Sequence, residues 1–500
     1  MKLSLSVALC LTSLALAQEE ADASRWGWNN YVSSKSLQKN IKLPNILRHS
    51  HKLLEHSKLS NGTRAFGTKG HNATARYIKQ LLDRTGYYNT ELQSFPFFAW
   101  SGTSKFSADG KEYETRTATY GKAGEVTAPV VLAYATGCLA ANFGPAIKGN
   151  IALIKRGDCD LGLKVAHAGT AGAAGVILYN NVPGSFSGTL GASPRPEGPY
   201  TPVGSISGED GDALAASIAG GKAIVGTLIA NVVAEDRWSS NVIATTKRGD
   251  QRNIVMAGAH SDSVPAGPGI NDDGSGTAGL LELALQLPKF QVRNAVRFAW
   301  WTAEEVGLVG SRYYTAHLTP AQNQKIALYL NFDMIASPNG GFFILDGDGD
   351  TFGTSGPAGS DHIEQTFKDY FTSAKIQNGT AAFTGRSDYG PFLDAGIPAG
   401  GVNTGAEGIK TEQQAAWWGG KAGIAYDPCY HQACDGIENL DTNALLVNTK
   451  AAGHAIATYA NTLRGIPRTR NQTVTRRSSS LHSELIGFDD GCKHDEDVKV

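Results

Sequence analysis

Asn253-Ile254-Val255-Met256-Ala257-Gly258-Ala259 is an apolar run that ends on His260. The same arrangement returns twice downstream. The strand-like Ala295-Val296-Arg297-Phe298-Ala299-Trp300-Trp301 is closely followed by Glu304-Glu305, and Ile326-Ala327-Leu328-Tyr329-Leu330-Asn331-Phe332 closes on Asp333. Between the first two runs lies the turn-rich Gly269-Ile270-Asn271-Asp272-Asp273-Gly274-Ser275-Gly276, and His431 stands in Cys429-Tyr430-His431-Gln432-Ala433-Cys434-Asp435. From Ser239 to about Leu463 such runs alternate with helical patterns, which predicts βαβ units. The expected fold class is therefore α/β, with a mixed, mostly parallel sheet flanked by helices. In open α/β sheets, ligands bind beyond the carboxyl ends of the strands. A histidine and acids at strand ends should converge there on one crevice.

Outward from this core the texture changes. Residues from about Trp26 to Phe98 read as helical; His71 to Leu82 carries apolar residues at helical spacing and Gly86 stops it. Residues 117–235 hold short β-type runs between Gly- and Pro-rich turns, and read as a separate small α/β domain. The Gly169-x-x-Gly172-x-x-Gly175 spacing there does not match a dinucleotide fingerprint and reads as tight helix packing. The expected division is a signal peptide over 1–17, a first segment over 25–116, the region of changed texture over 117–235, the α/β region over 236–465 and a polar tail over 466–500.

Met1-Lys2, an apolar run and Ala15-Leu16-Ala17 have the order of a secretory signal. The four sequons at Asn61, Asn72, Asn378 and Asn471 agree with export. Cys138 lies close to Cys159, and Cys429 to Cys434, so two short-loop disulfides are expected in an oxidising compartment, with Cys492 left alone. A net charge of -1 with 18% charged residues offers no electrostatic case for nucleic acid or an anionic membrane. The expected product is a secreted monomer, with a vacuolar location as the alternative. With so polar a tail, no lipid-anchor signal is expected.

Five residues, His260, Asp272, Glu305, Asp333 and His431, supply the imidazole and carboxylate mixture that zinc accepts. Two zinc ions ~3.5–4 Å apart can clamp the attacking and leaving oxygens of a hydrolysis. One carboxylate must then bridge them, and one hydroxide would balance the charge against Asp272, Asp333 and Glu305. Adjacent carboxylates point apart, so one of Glu304 and Glu305 suits a ligand and the other a general base. Asp262 and Asp435 are candidates to orient His260 and His431 from behind. Taken singly, these residues have plainer readings: a lone histidine is usually just polar, and an acidic pair can complement a helix dipole.

The segments Gly258-Ala259-His260-Ser261-Asp262-Ser263, Gly267 to Gly276, Trp301-Thr302-Ala303-Glu304-Glu305-Val306-Gly307-Leu308 and Leu330-Asn331-Phe332-Asp333-Met334 together resemble the di-zinc aminopeptidases of metallopeptidase family twenty-eight. The likeness is to the secreted fungal leucine aminopeptidase and vacuolar aminopeptidase Y types, and it runs to about Arg464. It implies a zinc exopeptidase fold in which residues 117–235 form a protease-associated domain. It further implies that His260 and Asp333 bind one zinc, Glu305 and His431 the other, and that Asp272 bridges them. Glu304 becomes the general base and Tyr430 the group that stabilises the oxyanion. Gly385-Arg386-Ser387-Asp388 resembles a substrate-contacting segment, with Arg386 holding a carbonyl or carboxylate. Asn403 stands where relatives commonly carry an aromatic, so a strict leucine preference does not carry over. The substrates implied are peptides with a free N-terminus and an apolar first residue.

Three alternatives remain at this point: a carboxypeptidase or dipeptidase with the same metals, a single-zinc cyclase relative, and a non-catalytic peptide-binding receptor. No Gly-x-Ser-x-Gly occurs to suggest a serine hydrolase. Asp346-Gly347-Asp348-Gly349-Asp350 has the composition of a calcium loop, but Pro357 stands where an EF-hand needs its bidentate glutamate. A solvated acidic turn is the competing reading.

Overall fold

The computed structural model describes residues 30–191 and 195–468, with the backbone of Val498–Lys499. The proposed signal, Asn471, Cys492 and nearly all of the tail lie outside the described residues. Two compact units are present. The first comprises the described residues within Met1–Phe95, Trp238–Val474 and His494–Val500, and the second those within Pro96–Arg237 and Thr475–Lys493. Among the described residues, no helix is long and apolar enough to cross a membrane.

The strands that build the sheet of the first unit include β1 (Val225–Thr246, from Trp238 onward), β2 (Asp250–His260), β3 (Asn294–Trp301), β4 (Ile326–Phe332), β5 (Phe343–Leu345), β6 (Gly379–Ala381) and β7 (Ala399–Asn403). Their order is β6-β5-β7-β4-β2-β3-β1. Strands β3, β2, β4 and β7 run parallel, and β1 and β5 join them antiparallel. The sheet is mixed and mostly parallel, as the alternation of runs predicts. Residues alternate between its faces. On β2, Val255, Ala257 and Ala259 enter one core and Met256 the other. Because both faces are covered, the strands read as continuous apolar runs rather than as alternating ones.

Helices α1 (Ser34–Asn40), α2 (Leu43–Ser57), α3 (Lys69–Thr85), α4 (Gly274–Gln286), α5 (Ser360–Ser373) and α6 (Thr442–Asn461) contribute to the first core, in which Trp300, Leu330 and Phe332 are almost fully enclosed. Burying each such side chain stabilises by roughly 1.5–3 kcal/mol. The α3 boundaries follow from local chemistry. Thr68 Oγ1 accepts the His71 N–H at its start, and Gly86 ends it at φ 65°, where a Cβ would be strained. The helical reading up to Phe98 fails beyond that glycine, since Tyr88–Ala108 is a strand with intermittent rather than helical burial. Its run of aromatic and threonine residues suits a pleated, half-buried surface.

The second unit holds the parallel strands Gly124–Leu132, Ile151–Lys155, Gly175–Tyr179 and Val203–Ile206 and the helices Leu161–Thr170 and Gly208–Ala219. It begins at Pro96, so the composition change at Thr117 falls inside the unit, whose first strand enters as part of the long Tyr88–Ala108. A Cβ on Gly169 would lie 2.0 Å from the Pro199 carbonyl oxygen, which is the close packing read from the glycine spacing. Cys138 and Cys159 form a disulfide beside the buried Lys164, whose Nζ donates to the Gly157 carbonyl at 2.7 Å.

Candidate active site

Parallel register brings the site together. His260 pairs with Trp301, Gly258 with Asn331, and Phe332 with Val402, so the carboxyl ends of β2, β3, β4 and β7 lie side by side. His260 is the last residue of β2, Glu304 and Glu305 lie just past β3, Asp333 follows β4, and Asn403 ends β7. Asp272 arrives from the turn before α4. His431 comes from a loop closed by the Cys429–Cys434 disulfide. Ala303, Met334 and His431 itself hold left-handed backbone at φ 55°, 52° and 57°. For residues with a Cβ such conformations cost about 1–3 kcal/mol each and persist where the surroundings over-determine them.

The Asp272 carboxylate faces two ways. Its Oδ1 lies 3.2 Å from His260 Nε2 and its Oδ2 3.2 Å from His431 Nε2. His260 Nε2 is also 3.5 Å from Asp333 Oδ1 and 3.8 Å from Glu304 Oε2, while His431 Nε2 is 3.0 Å from Glu305 Oε2. Asp272 Oδ2, Glu305 Oε1 and Asp333 Oδ1 are buried without a hydrogen-bond partner. Burial, with Asp333, Asp388 and Glu305 adding to it against the opposing pull of His260, holds the Glu304 carboxyl well above its usual range. Burial and then Asp272 lift Glu305 to about 7. His431 is raised to about 10: burial opposes the shift, and its contacts with Asp272 and Glu305 outweigh it. Buried carboxylates this close are costly unless cations compensate them. The unpartnered oxygens and the mixed donor set fit zinc.

Behind these groups sit residues that sequence reading partly missed. Asp273, buried beside Asp272, accepts N–H bonds from His260 at 3.1 Å, Gly276 at 2.8 Å and Met334 at 3.1 Å. Only its place next to Asp272 hinted at a role. Arg64 is buried, donates to the carbonyls of Ser261, Pro268 (2.9 Å) and Gly269, and so holds the turn between β2 and Asp272. Nothing local marks it, because its partners lie some 200 residues away in sequence. Asp262 Oδ1 stands 3.6 Å from His260 Nδ1, too long for a hydrogen bond, and accepts the Glu304 N–H at 3.2 Å.

Asp435 corrects its expected part. Its oxygens accept the backbone N–H groups of Asn271 (2.8 Å) and Asp272 (3.0 Å), so it positions Asp272 rather than the His431 ring. Asp427 reinforces that clamp through Asn271 Nδ2 at 2.7 Å. Asp388 is corrected too. At 1% exposure, with Oδ1 unpartnered and its carboxyl pushed up to about 7 by burial, it can act on a substrate only through its neighbours. The exposed Arg386 pairs with Glu407 at 2.6 Å, and the Tyr430 ring stacks on His431 with centroids 3.8 Å apart. Asn403 Oδ1 accepts the Gly405 N–H at 3.1 Å. Of the described sequons, Asn61 is exposed in a turn, Asn72 lies on α3 and Asn378 precedes β6; Asn72 and Asn378 are half-buried.

Asp346, Asp348, Asp350 and Glu364 form a second cluster of oxygens. Backbone N–H groups and one lysine face it. Asp346 caps the backbone of Gly349 and Phe352, Glu364 accepts from Gly347 and Asp348, and Lys368 Nζ reaches Glu364 Oε1 at 2.5 Å.

Comparison with known proteins gives concordant likenesses. Residues 241–456 match the model of peptidase family M28, and residues 126–214 that of the PA domain. The chain is 44% identical over 479 residues to a probable leucine aminopeptidase 2 of Aspergillus oryzae, covering 93% of this chain and 96% of the relative. It is 42% identical over 493 residues to a leucine aminopeptidase 2 of Trichophyton rubrum, with 98% of each covered. Among solved structures, an aminopeptidase from Aneurinibacillus sp. strain AM-1 superposes with a TM-score of 0.64 at 28% identity, over 86% of this chain and 96% of that one. A zinc aminopeptidase from Bacillus subtilis gives 0.58 at 25% identity, over 86% and 98%.

Proposed function

The chain belongs to peptidase family M28 and is a zinc-dependent aminopeptidase, and from this premise we propose that it removes apolar N-terminal residues from peptides at a centre that takes two zinc ions. One observation carries the reading: a single carboxylate, Asp272, faces both histidines at 3.2 Å. His260 and Asp333 would hold one ion, Glu305 and His431 the other, with Asp272 between them. When bound, zinc would polarise the first peptide carbonyl and activate a water molecule. Glu304 is the general base. Its Oε2, kept close to the ligands but assigned to neither ion, takes the proton of the attacking water and passes it to the departing amine. Tyr430, beside His431, donates its hydroxyl proton in a hydrogen bond to the carbonyl oxygen as negative charge develops there. The surrounding acids attract a free α-amine, and Asn403 and the Arg386–Glu407 pair border the place where the substrate side chain and its second residue lie. Export to an oxidising compartment, supported by the two disulfides, and a monomeric state belong to the same proposal.

The test separates the two glutamates. Glu304→Gln should retain the wild-type zinc content while turnover falls by roughly 10²–10⁴. Glu305→Gln should lose affinity for one ion, and chelation of the wild type should abolish activity that zinc or cobalt restores. Loss of zinc in the first variant with full loading of the second would reverse the assignment.

A further inference from the structure

A file of hydrogen bonds runs between Trp301 and Asp333, and every bond in it points the same way. Trp301 Nε1 donates to the Tyr329 hydroxyl at 2.8 Å, and that hydroxyl donates to Asn331 Oδ1 at 3.1 Å. Asn331 Nδ2 donates to Ser387 Oγ at 2.8 Å, and Ser387 Oγ donates to Asp333 Oδ2 at 2.5 Å. The two ends settle the direction. An indole N–H can only donate and an ionised carboxylate can only accept. Ser387 has one proton and gives it to Asp333, so it must accept from Asn331. The amide therefore turns its NH2 to Ser387 and its oxygen to Tyr329, which must donate. Tyr329 in turn accepts from Trp301.

The fold makes room for this file. Trp301 ends β3 and Tyr329 and Asn331 lie on β4, on either side of β2. Gly258 of β2 lies between them: a Cβ there would come within 2.3 Å of the Tyr329 hydroxyl and 2.7 Å of Trp301 Nε1. A Cβ on Gly401 of β7 would sit 2.0 Å from the Asn331 carbonyl oxygen. Phe392 stacks on the Tyr329 ring at 3.8 Å, with the planes 1° apart. Trp301 and Tyr329 are fully buried, whereas Ser387 and Asp333 at the far end are half-buried.

We propose that Tyr329 is a positioning residue for the reaction. Its hydroxyl, anchored by Trp301, orients Asn331 and Ser387 so that Ser387 occupies Asp333 Oδ2 and leaves Asp333 Oδ1 for zinc. That second oxygen is buried without a hydrogen-bond partner, 3.5 Å from His260 Nε2. The inference rests on Asp333 as a zinc ligand.

The experiment compares wild type, Tyr329→Phe and Tyr314→Phe by chelator competition for zinc, by the visible spectrum of the cobalt-substituted enzyme, by kcat and KM, and by melting temperature. Tyr314 packs in the same core, and its hydroxyl accepts from Arg297 at 2.6 Å without joining the file. Tyr329→Phe should bind one metal ion roughly 10–100-fold more weakly, change the cobalt spectrum and lower kcat more than it raises KM. Tyr314→Phe should lower the melting temperature alone. Should Tyr329→Phe not fold, Asn331→Asp serves instead: its second oxygen draws the Ser387 proton away from Asp333, and the same change of spectrum and affinity is expected. Wild-type zinc affinity and cobalt spectrum in a folded relay variant would overturn the proposal, as would equal changes in Tyr314→Phe. An Asp333→Asn variant that kept both ions would remove Asp333 from the ligand set and overturn the assignment and the relay together. If Asp333→Asn loses an ion while Tyr329→Phe is unaltered, only the relay falls.

Discussion

Replacing Asp273 by alanine and by asparagine perturbs one buried carboxylate in two degrees. Asp273 Oδ1 accepts from Gly276 and Met334, and Oδ2 accepts from His260. Alanine removes all three acceptors and leaves three enclosed N–H groups unpaired. At roughly 1–3 kcal/mol for each enclosed N–H left unpaired, the loss is about 3–9 kcal/mol. That is comparable with the ~5–15 kcal/mol of a whole domain. Asparagine can keep its oxygen at the Oδ1 position and serve two donors, but its NH2 then faces the His260 N–H. One mismatch costs about 1–3 kcal/mol. With melting temperature moving by roughly 2–4 °C per kcal/mol, the asparagine variant should melt about 2–12 °C below wild type. The alanine variant should melt at least about 6 °C below, or fail to fold. Near-ultraviolet circular dichroism is a suitable probe, since Trp300 and Trp301 are buried in the same unit. An alanine variant melting within about 2 °C of wild type would refute the reasoning, as would an asparagine variant as damaged as the alanine one.

Two further outcomes concern the disulfides and pH. Cys429 and Cys434 are 5 residues apart and Cys138 and Cys159 are 21 apart, so loop entropy assigns about 2 kcal/mol to the first bridge and about 3 kcal/mol to the second. Replacing the first pair by serine should nonetheless remove most activity, because His431 lies within that loop, whereas replacing the second should lower melting temperature and spare kcat; paired kinetics and thermal melts check both. His49, His56 and His71 are buried, and burial lowers each from the ordinary histidine value to about 4. They stay neutral in the folded protein and take protons when unfolded, so their stability is present above about 6.5 and is lost as pH falls toward 4. Melting temperature should fall across that window, and His49→Phe should flatten the slope; an unchanged slope would show that His49 does not contribute.

Much of the site was legible because its signals are local. An apolar run ending on His260 or Asp333, and a glutamate pair just past Trp301, follow from burial of a strand on both faces and exposure of its end. Short separations between cysteines marked both disulfides for the same reason. The stop at Gly86 was visible in one residue's conformational freedom, but the strand after it was not, since aromatic and threonine residues scattered over Tyr88–Ala108 carry no strict period.

The sequence by itself determined which residues could meet: parallel strands in an α/β sheet must bring their carboxyl ends to one edge, and polar residues placed there have little else to face. Tertiary structure alone decided what each of them does. Asp272 and Asp273 are neighbours of one type in one turn, yet the first faces two histidines and the second three backbone N–H groups. Asp435 stands four residues from His431 but serves Asp272, and Asp388 is sealed below the surface it was expected to line. The direction of the file from Trp301 to Asp333 exists only once Gly258, Asn331 and Ser387 are side by side. Hydrogen bonds are short and directional, so their partners depend on ångström-scale placement of segments far apart in the chain, whereas hydrophobic burial depends on area and leaves its mark on the order of residues.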